Sequence, residues 1–323
     1  MSHPEWNELA HKVFKADCLE WMADRETDSV DLVFGSPPYE AARTYGIDFA
    51  LKGQAWVDWM VPRVQEMARI SRGLVALVIE GQTRNYRYSA TPALLMADLH
   101  RAGLHLRKPA IFHRVGIPGS GGPDWLRNDY EFILCVSQGG KLPWSDNTAM
   151  GHPPKWAPGG EMSNRMGNGS RVNQWGRVGG WDKDRHGKVT RRPRPSHVTA
   201  DKLHTKTKDD GSRETQGYRV PVLANPGNVI RLPVGGGQMG SPLAHENEAP
   251  FPERLAEFFI RSFCPPGGTV FDPFSGSGTT AAAAIASGRN FLGTDVRESQ
   301  VGLTRRRIIE AMEKDRTKTK VTT

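Results

Sequence analysis

Only three cysteines, Cys18, Cys135 and Cys264, occur in the 323 residues, and no two stand in CxxC spacing. That scarcity excludes a disulfide framework and speaks against a zinc site, so no metal is expected and a reducing compartment suits the chain. Long apolar runs are also missing. None approaches the ~18 residues that a membrane-spanning helix requires, and the opening residues, with His3, Glu5 and Asn7, lack the charged-then-apolar pattern of a signal peptide. A soluble, cytoplasmic protein is predicted. Apolar residues supply 37% of the chain, which is little for a compact enzyme. The length suffices for one large or two moderate domains with a buried core, so part of the chain is expected to be loop-rich.

Acidic residues fall short in one place. The chain has 35 Asp and Glu against 43 Lys and Arg, a net charge of +8. Between positions 139 and 245 the counts are 8 against 17, and everywhere else 27 against 26, so the whole surplus lies in that middle segment. The same segment holds 18 of the 35 glycines and four of the nine tryptophans, Trp144, Trp156, Trp175 and Trp181. A flexible, positive, aromatic-studded stretch can follow phosphates and rest against bases. Its densest basic clusters are Arg191, Arg192 and Arg194, then Lys202, Lys206 and Lys208. The alternative is a solvated loop region whose tryptophans fill small local cores.

The flanking parts read as α/β. Trp56, Met60, Val64, Met67 and Ile70 recur at helical spacing, with Arg72-Gly73 as the stop signal. The apolar run 74–79 predicts a buried parallel strand. A helix over 93–102 and strands over 104–112 and 131–136 follow. Past the basic segment the pattern predicts a helix over 252–263 opened by Pro252, a strand at 269–271, a helix at 279–287, a strand at 291–294 and a helix at 299–313. Strands alternating with helices imply a mainly parallel sheet with ligands at the strand C-termini.

Two loops carry the chemistry. Ser36-Pro37-Pro38-Tyr39 follows the apolar run 30–35. Each proline fixes its own φ and restricts the residue before it, so a hydroxyl, carbonyls and a ring are preset before anything binds. The second loop is 272–280, glycine-rich, after a strand and before the alanine run 281–284. Glycines let a backbone approach a ligand closely, and a helix N-terminus favours an anionic group. Gly276-x-Gly278-x-x-Ala281, with Asp295 seventeen residues on, also fits a dinucleotide fingerprint. Asp295 is then the acceptor for two ribose hydroxyls, or else a plain turn aspartate.

Together, Ser36-Pro37-Pro38-Tyr39 and Asp272-Pro273-Phe274-Ser275-Gly276-Ser277-Gly278-Thr279 resemble the catalytic motif and the cofactor loop of the DNA amino-methyltransferases. The catalytic motif comes first, as in the circularly permuted β group of that family. Further similarities lie at 14–20, the family's acidic segment with Asp17, at 130–134 with Glu131, and at 245–252 with Phe251. The resemblance covers 13–138 and 245–310. It implies a Rossmann-like S-adenosylmethionine-dependent methyltransferase fold, α/β, circularly permuted, with a catalytic half at 1–138, a basic target-recognition insert at 139–245 and a cofactor half at 246–323. The implied cofactor is S-adenosylmethionine and the implied partner double-stranded DNA, with a cognate restriction endonuclease left open. By the same resemblance Asp272 meets the methionyl ammonium and Asp17 the adenine amino group. Pro273, Ser275, Gly276, Ser277, Gly278 and Thr279 shape the cofactor loop, and Phe251 and Phe274 pack on the cofactor or simply fill core.

An exocyclic amine on a nucleobase is a poor nucleophile because its lone pair is delocalised into the ring. Acceptors aimed at its two N–H bonds favour the pyramidal, positive nitrogen of the transition state. The resemblance assigns these to the Ser36 side chain and the Pro37 carbonyl, with Tyr39 stacking on the flipped base. No covalent enzyme intermediate is expected, and no Pro-Cys dipeptide of the carbon-5 cytosine enzymes occurs. Family members with Ser at the first motif position are mostly cytosine-N4 enzymes and those with Asp mostly adenine-N6 enzymes. Cytosine-N4 methylation of duplex DNA is the expected activity, adenine-N6 methylation the alternative. An RNA substrate and an inactive nucleic-acid-binding protein are the readings from outside.

Overall fold

The computed structural model describes residues 10–40, 49–116, 121–152, 163–165, 171–173, 181–183, 189–191, 203–207, 212–217, 223–247 and 249–322. The chain divides into two compact units, Met1–Met150 with Pro226–Thr323, and Gly151–Asn225.

The first unit begins with β1 (His11–Lys15), α1 (Cys18–Ala23), β2 (Val30–Gly35), α2 (Gln54–Ile70) and β3 (Ser71–Ile79). A small hairpin, β4 (Thr83–Arg84) and β5 (Arg87–Tyr88), leads to α3 (Thr91–Arg101), β6 (His105–Leu106), β7 (Ala110–Val115) and β8 (Tyr130–Ser137). In the second unit three antiparallel ladders form, β9 (Ser163–Arg165) with β10 (Arg171–Asn173), β11 (Trp181–Lys183) with β12 (Val189–Arg191), and β13 (Leu203–Thr207) with β14 (Arg213–Gly217). The chain then adds β15 (Val229–Pro233), α4 (Glu253–Phe263), β16 (Thr269–Asp272), α5 (Thr279–Ala286), β17 (Asn290–Asp295) and α6 (Glu298–Thr322) to the first unit.

One sheet organises the first unit, in the order β1-β17-β16-β2-β3-β8-β7-β15, with β6 on β8. Every pairing in it is parallel except those of β8, which runs against β3, β6 and β7. The C-terminal ends of β1, β17, β16, β2 and β3 therefore share one edge, and that edge carries both sequence motifs. Side chains alternate along β2. Leu32 and Phe34 enter a core with α4, α5 and α6, while Val33 enters a core with α1, α2 and α3. Burial on both faces explains why β2 and β3 read as continuous apolar runs.

The expected elements recur with four differences. Arg72-Gly73, read as a helix stop, lies inside β3, which follows α2 without a loop. A Cβ on Gly73 would stand 2.1 Å from the Asp31 carbonyl oxygen, where the β2–β3 register shifts, so this glycine serves a close strand approach. The strand expected over 104–112 is split into β6 and β7 by Pro109, which cannot donate to a ladder. Helix α6 runs on past 313 to Thr322 because nothing there breaks it, and Lys314 pairs with Glu310 at 2.7 Å along its surface. Strand β15, within the stretch grouped by composition with the insert, pairs with β7 in the main sheet.

Where composition predicts loops at 139–245, the second unit contains the three strand ladders. Arg191 ends β12 and Lys206 lies in β13. Arg192, Arg194, Lys202 and Lys208 lie outside the described residues. Among the described residues no helix is long and apolar enough to cross a membrane.

Candidate functional site

Strand β2 ends at Gly35 and hands the chain to Ser36, whose hydroxyl donates to the Val78 carbonyl of β3 at 3.1 Å. With its single proton committed there, Ser36 Oγ presents only lone pairs to anything else. The Pro38 carbonyl accepts from the buried Trp56 indole at 2.8 Å. The buried Pro37 has no protein donor on its carbonyl among the described residues. Tyr39 Oη donates to Glu131 Oε2 at 3.1 Å, and Arg114 stands 3.1 Å from the other oxygen of that carboxylate. The next residue, Glu40, is 3% exposed and takes hydrogen bonds from Gly53 N, Gln82 N, Ser89 Oγ and Thr91 Oγ1. Four donors on one buried carboxylate fix the loop from below. Nearby, burial pushes the Glu80 carboxyl up to about 7.

The second motif turns at the end of β16. Gly276 and Gly278 both take left-handed φ, +49° and +74°, which glycine adopts without strain. Around them the loop is pinned: Ser275 N donates to Thr294 O at 2.8 Å, Thr294 Oγ1 to Pro273 O at 2.9 Å and Thr304 Oγ1 to Gly276 O at 3.1 Å. Gly276 N donates to Asp295 Oδ2 at 3.1 Å, and Arg297 N to Asp295 Oδ1 at 2.9 Å. Asp272 is 2% exposed, and its Oδ1 accepts from Phe274 N at 2.9 Å. Burial, with the charge of Asp295 adding to it, raises its carboxyl to about 7.

Between the two motifs lies a cleft of about 210 Å³. Ser36, Pro37, Pro38 and Tyr39 line it, as do Asp17, Phe251, Asp295 and, from the second motif, Pro273, Phe274, Ser275, Gly276, Ser277 and Thr279. Asp272 and Gly278 are not on its wall. Gly278 instead permits helix packing, since a Cβ there would come within 3.0 Å of the Thr304 Cα on α6. Phe251 meets Phe34 edge-on at 5.5 Å, so it is both core and lining.

Sequence reasoning missed part of the wall. Phe49 and Trp59 lie against each other at 5.1 Å, and Trp59 lies 6.1 Å from Phe274, forming an aromatic side to the cleft. The Arg63 guanidinium sits 3.9 Å over the Trp59 ring and reaches Asp17 Oδ2 at 2.7 Å, while Asp17 Oδ1 caps α1 through Leu19 N at 2.8 Å. A signal for Arg63 existed. It stands seven residues after the buried Trp56, on the apolar stripe of α2, where a charge needs a partner.

The thiols take no part. All three cysteines are buried, and burial raises Cys18 and Cys264 to about 12 and Cys135 to about 11, far from a nucleophilic thiolate. Among the described residues no group of three or more metal-ligating side chains exists.

A pinned glycine turn facing a stiff Ser-Pro-Pro-Tyr loop, across one edge of a mainly parallel sheet, defines a Rossmann-like methyltransferase. Residues 30–306 match the model of the N6/N4 DNA methylases, and the chain belongs to that family. The DNA adenine methyltransferase YhdJ of Escherichia coli K12 is 24% identical over 93% of this chain and 83% of its own length. The orphan methyltransferase M.BamHII of Bacillus amyloliquefaciens is 25% identical over 87% and 89%. Among solved structures, the cytosine-N4-specific PvuII DNA methyltransferase superposes with a TM-score of 0.59 at 15% identity, covering 95% of this chain and 94% of that one. The DNA modification methylase TTHA0409 of Thermus thermophilus, solved with S-adenosylmethionine, gives 0.53 at 21% identity over 93% and 94%. These likenesses show the fold.

Proposed function

We propose that this S-adenosylmethionine-dependent DNA methyltransferase modifies the exocyclic N4 amine of cytosine in duplex DNA, in the cleft between the two motifs. The observation that carries this reading is the Ser36 hydroxyl, turned by Val78 into a pure acceptor beside a Pro37 carbonyl that no protein donor among the described residues occupies. Two such acceptors suit the two N–H bonds of an amine, and they strengthen as the nitrogen becomes positive. Tyr39 stacks on the flipped base, and its bond to Glu131 sets the plane of the ring.

The second motif fits the cofactor. Asp295, at the rim with both oxygens oriented by backbone N–H groups, takes the ribose hydroxyls. Phe251 and Phe274 flank the adenine and Asp17 accepts from its amino group, while Asp272 answers the methionyl ammonium from beneath the loop. Gly276 leaves the cradle open, because a Cβ there would press on Asn247 at 3.1 Å. Bound there, S-adenosylmethionine supplies an electrophilic methyl on a sulfonium. The protein aligns the amine with that methyl and excludes water, and the amine's surplus proton passes to solvent. The basic segment 139–245 contacts phosphates through Arg191, Arg192, Arg194, Lys202, Lys206 and Lys208, and a partner endonuclease is compatible with this role.

Adenine-N6 methylation is the second reading, favoured by the relative named for that activity. One experiment separates them. The protein is incubated with tritiated S-adenosylmethionine and unmethylated duplex DNA, or RNA, and the digested nucleosides are resolved by chromatography. Label in N4-methylcytosine is expected. Label in N6-methyladenine alone, or in RNA alone, would overturn the proposal.

A further inference from the structure

Directly after β3, on the sheet edge that carries Ser36, the chain turns back in the β4–β5 hairpin, pairing Thr83 with Tyr88 and Arg84 with Arg87. Its two turn residues, Asn85 and Tyr86, both have left-handed backbones, with φ of +47° and +61°. A two-residue hairpin needs positive φ at both central positions. Asparagine accepts this readily, but a tyrosine there is an outlier that glycine would relieve. Tyr86 nevertheless stands at the tip, 79% exposed, and gains little burial for the strain. Arg84 and Arg87 beside it are exposed, and no acidic residue occurs between 81 and 90.

The hairpin is tied to the chemistry at its base. Gly81 lets the Tyr88 ring lie against the backbone, since a Cβ there would come within 2.6 Å of it, and Tyr88 Oη donates to the buried Glu80 at 3.1 Å. Gln82 N and Ser89 Oγ both donate to Glu40, the residue after Tyr39. One carboxylate thus clips the hairpin and the catalytic loop together. The same edge collects apolar surface. Six of the eleven large apolar side chains exposed among the described residues lie along it: Tyr86, Tyr88, Val115, Trp125, Leu126 and Tyr130.

We propose that the hairpin at 83–88 is a DNA-contacting arm, in which Tyr86 stacks on a base beside the target nucleotide and Arg84 and Arg87 take neighbouring phosphates. An aromatic ring between cations matches a polymer that alternates π-faces with negative charge. Strain kept at an exposed residue fits a contact made outside the protein. The inference rests on the reading of the protein as a DNA methyltransferase.

The test measures the affinity of the full-length protein for a mixed-sequence DNA duplex at several salt concentrations. It compares the parent, Tyr86→Gly, Tyr86→Phe and the double variant Arg84→Ala/Arg87→Ala, with thermal melting and cofactor titration alongside. Tyr86→Gly is expected to melt at or above the parent temperature, to bind cofactor normally and to lose roughly 5- to 150-fold in DNA affinity, the range of one stacked base. Tyr86→Phe keeps the ring and the affinity. The double arginine variant flattens the log–log salt slope by roughly 0.9 for each phosphate it no longer neutralises. Unchanged DNA affinity in Tyr86→Gly and an unchanged slope in the arginine variant would overturn the proposal. So would loss of self-association at constant DNA affinity, which would make the tip an interface between copies of the chain. A parent protein that bound no DNA would sink the methyltransferase reading itself, and the arm with it.

Discussion

The Asp272 carboxylate occupies the space that a side chain at Gly35 would fill: a Cβ on Gly35 would stand 2.4 Å from Asp272 Oδ1. Gly35 is the last residue of β2 before the catalytic loop, and Asp272 is the last of β16 before the glycine turn. The two half-sites therefore meet through a missing methyl group. Gly35→Ala is expected to push the two strand ends apart and to destabilise the protein by roughly 1–3 kcal/mol, the usual cost of overpacking. Denaturant unfolding of parent and variant measures it, and equal midpoints would mean that the strand ends yield freely.

Ser36→Ala and Tyr39→Phe separate chemistry from binding. Alanine removes an acceptor aimed at the target amine, and phenylalanine keeps the ring but loses the bond to Glu131. Ser36→Ala is expected to slow single-turnover methyl transfer by at least tenfold, about 1.4 kcal/mol of barrier, with cofactor affinity near that of the parent. Tyr39→Phe should lose less, because stacking survives. Single-turnover kinetics with equilibrium cofactor titration distinguish the two, and full-rate transfer by Ser36→Ala would remove this residue from the reaction.

The edge, the two loops and the paired layers were legible because they depend on local signals: continuous apolar strands, two prolines, glycines at a strand-to-helix turn. The Asp17–Arg63–Trp59 arrangement was not. It joins α1 to α2 across 46 residues, and a charge on an apolar stripe names no partner until both helices are packed. The position of Asp272 in its motif suggested a cleft residue, yet the turn folds its side chain back onto Phe274 N, and burial follows from that local bond. Arg72-Gly73 misled because glycine ends helices and also allows close strand approach, and only the neighbouring Asp31 carbonyl decides between them.

The pH dependence of Asp272 follows from its carboxyl at about 7, against an ordinary 3.8. Between these values the folded protein holds a proton that the unfolded chain has released, so stability of the free protein falls as pH rises through that window. A methionyl ammonium beside Asp272 needs the ionised form. Cofactor affinity is therefore expected to rise between about pH 5.5 and 7, by no more than tenfold per unit for one released proton, and to level off above. Asp272→Asn should flatten both trends. Calorimetry in buffers of different ionisation enthalpy counts the proton, and an affinity flat across that range would mean that Asp272 is a structural acid with no role at the cofactor. Asp295→Ala should weaken binding by roughly 1.5–3 kcal/mol at every pH.

The basic segment offers a test of positioning as distinct from chemistry. The surplus charge between 139 and 245 is confined to that stretch, so neutralising Arg191, Arg192 and Arg194 together removes up to three phosphate contacts without touching the cleft. Each phosphate left without its arginine should reduce the log–log salt slope of DNA binding by roughly 0.9. Cofactor affinity should hold, because the residues that line the cleft all belong to the first unit. Phosphate contacts carry no sequence information, so the modified motif should also stay the same. DNA affinity at several salt concentrations, with single-molecule sequencing of DNA from cells expressing each form, reads both quantities. A changed motif at constant slope would make these arginines base readers, and an unchanged slope with an unchanged motif would leave them as solvated surface.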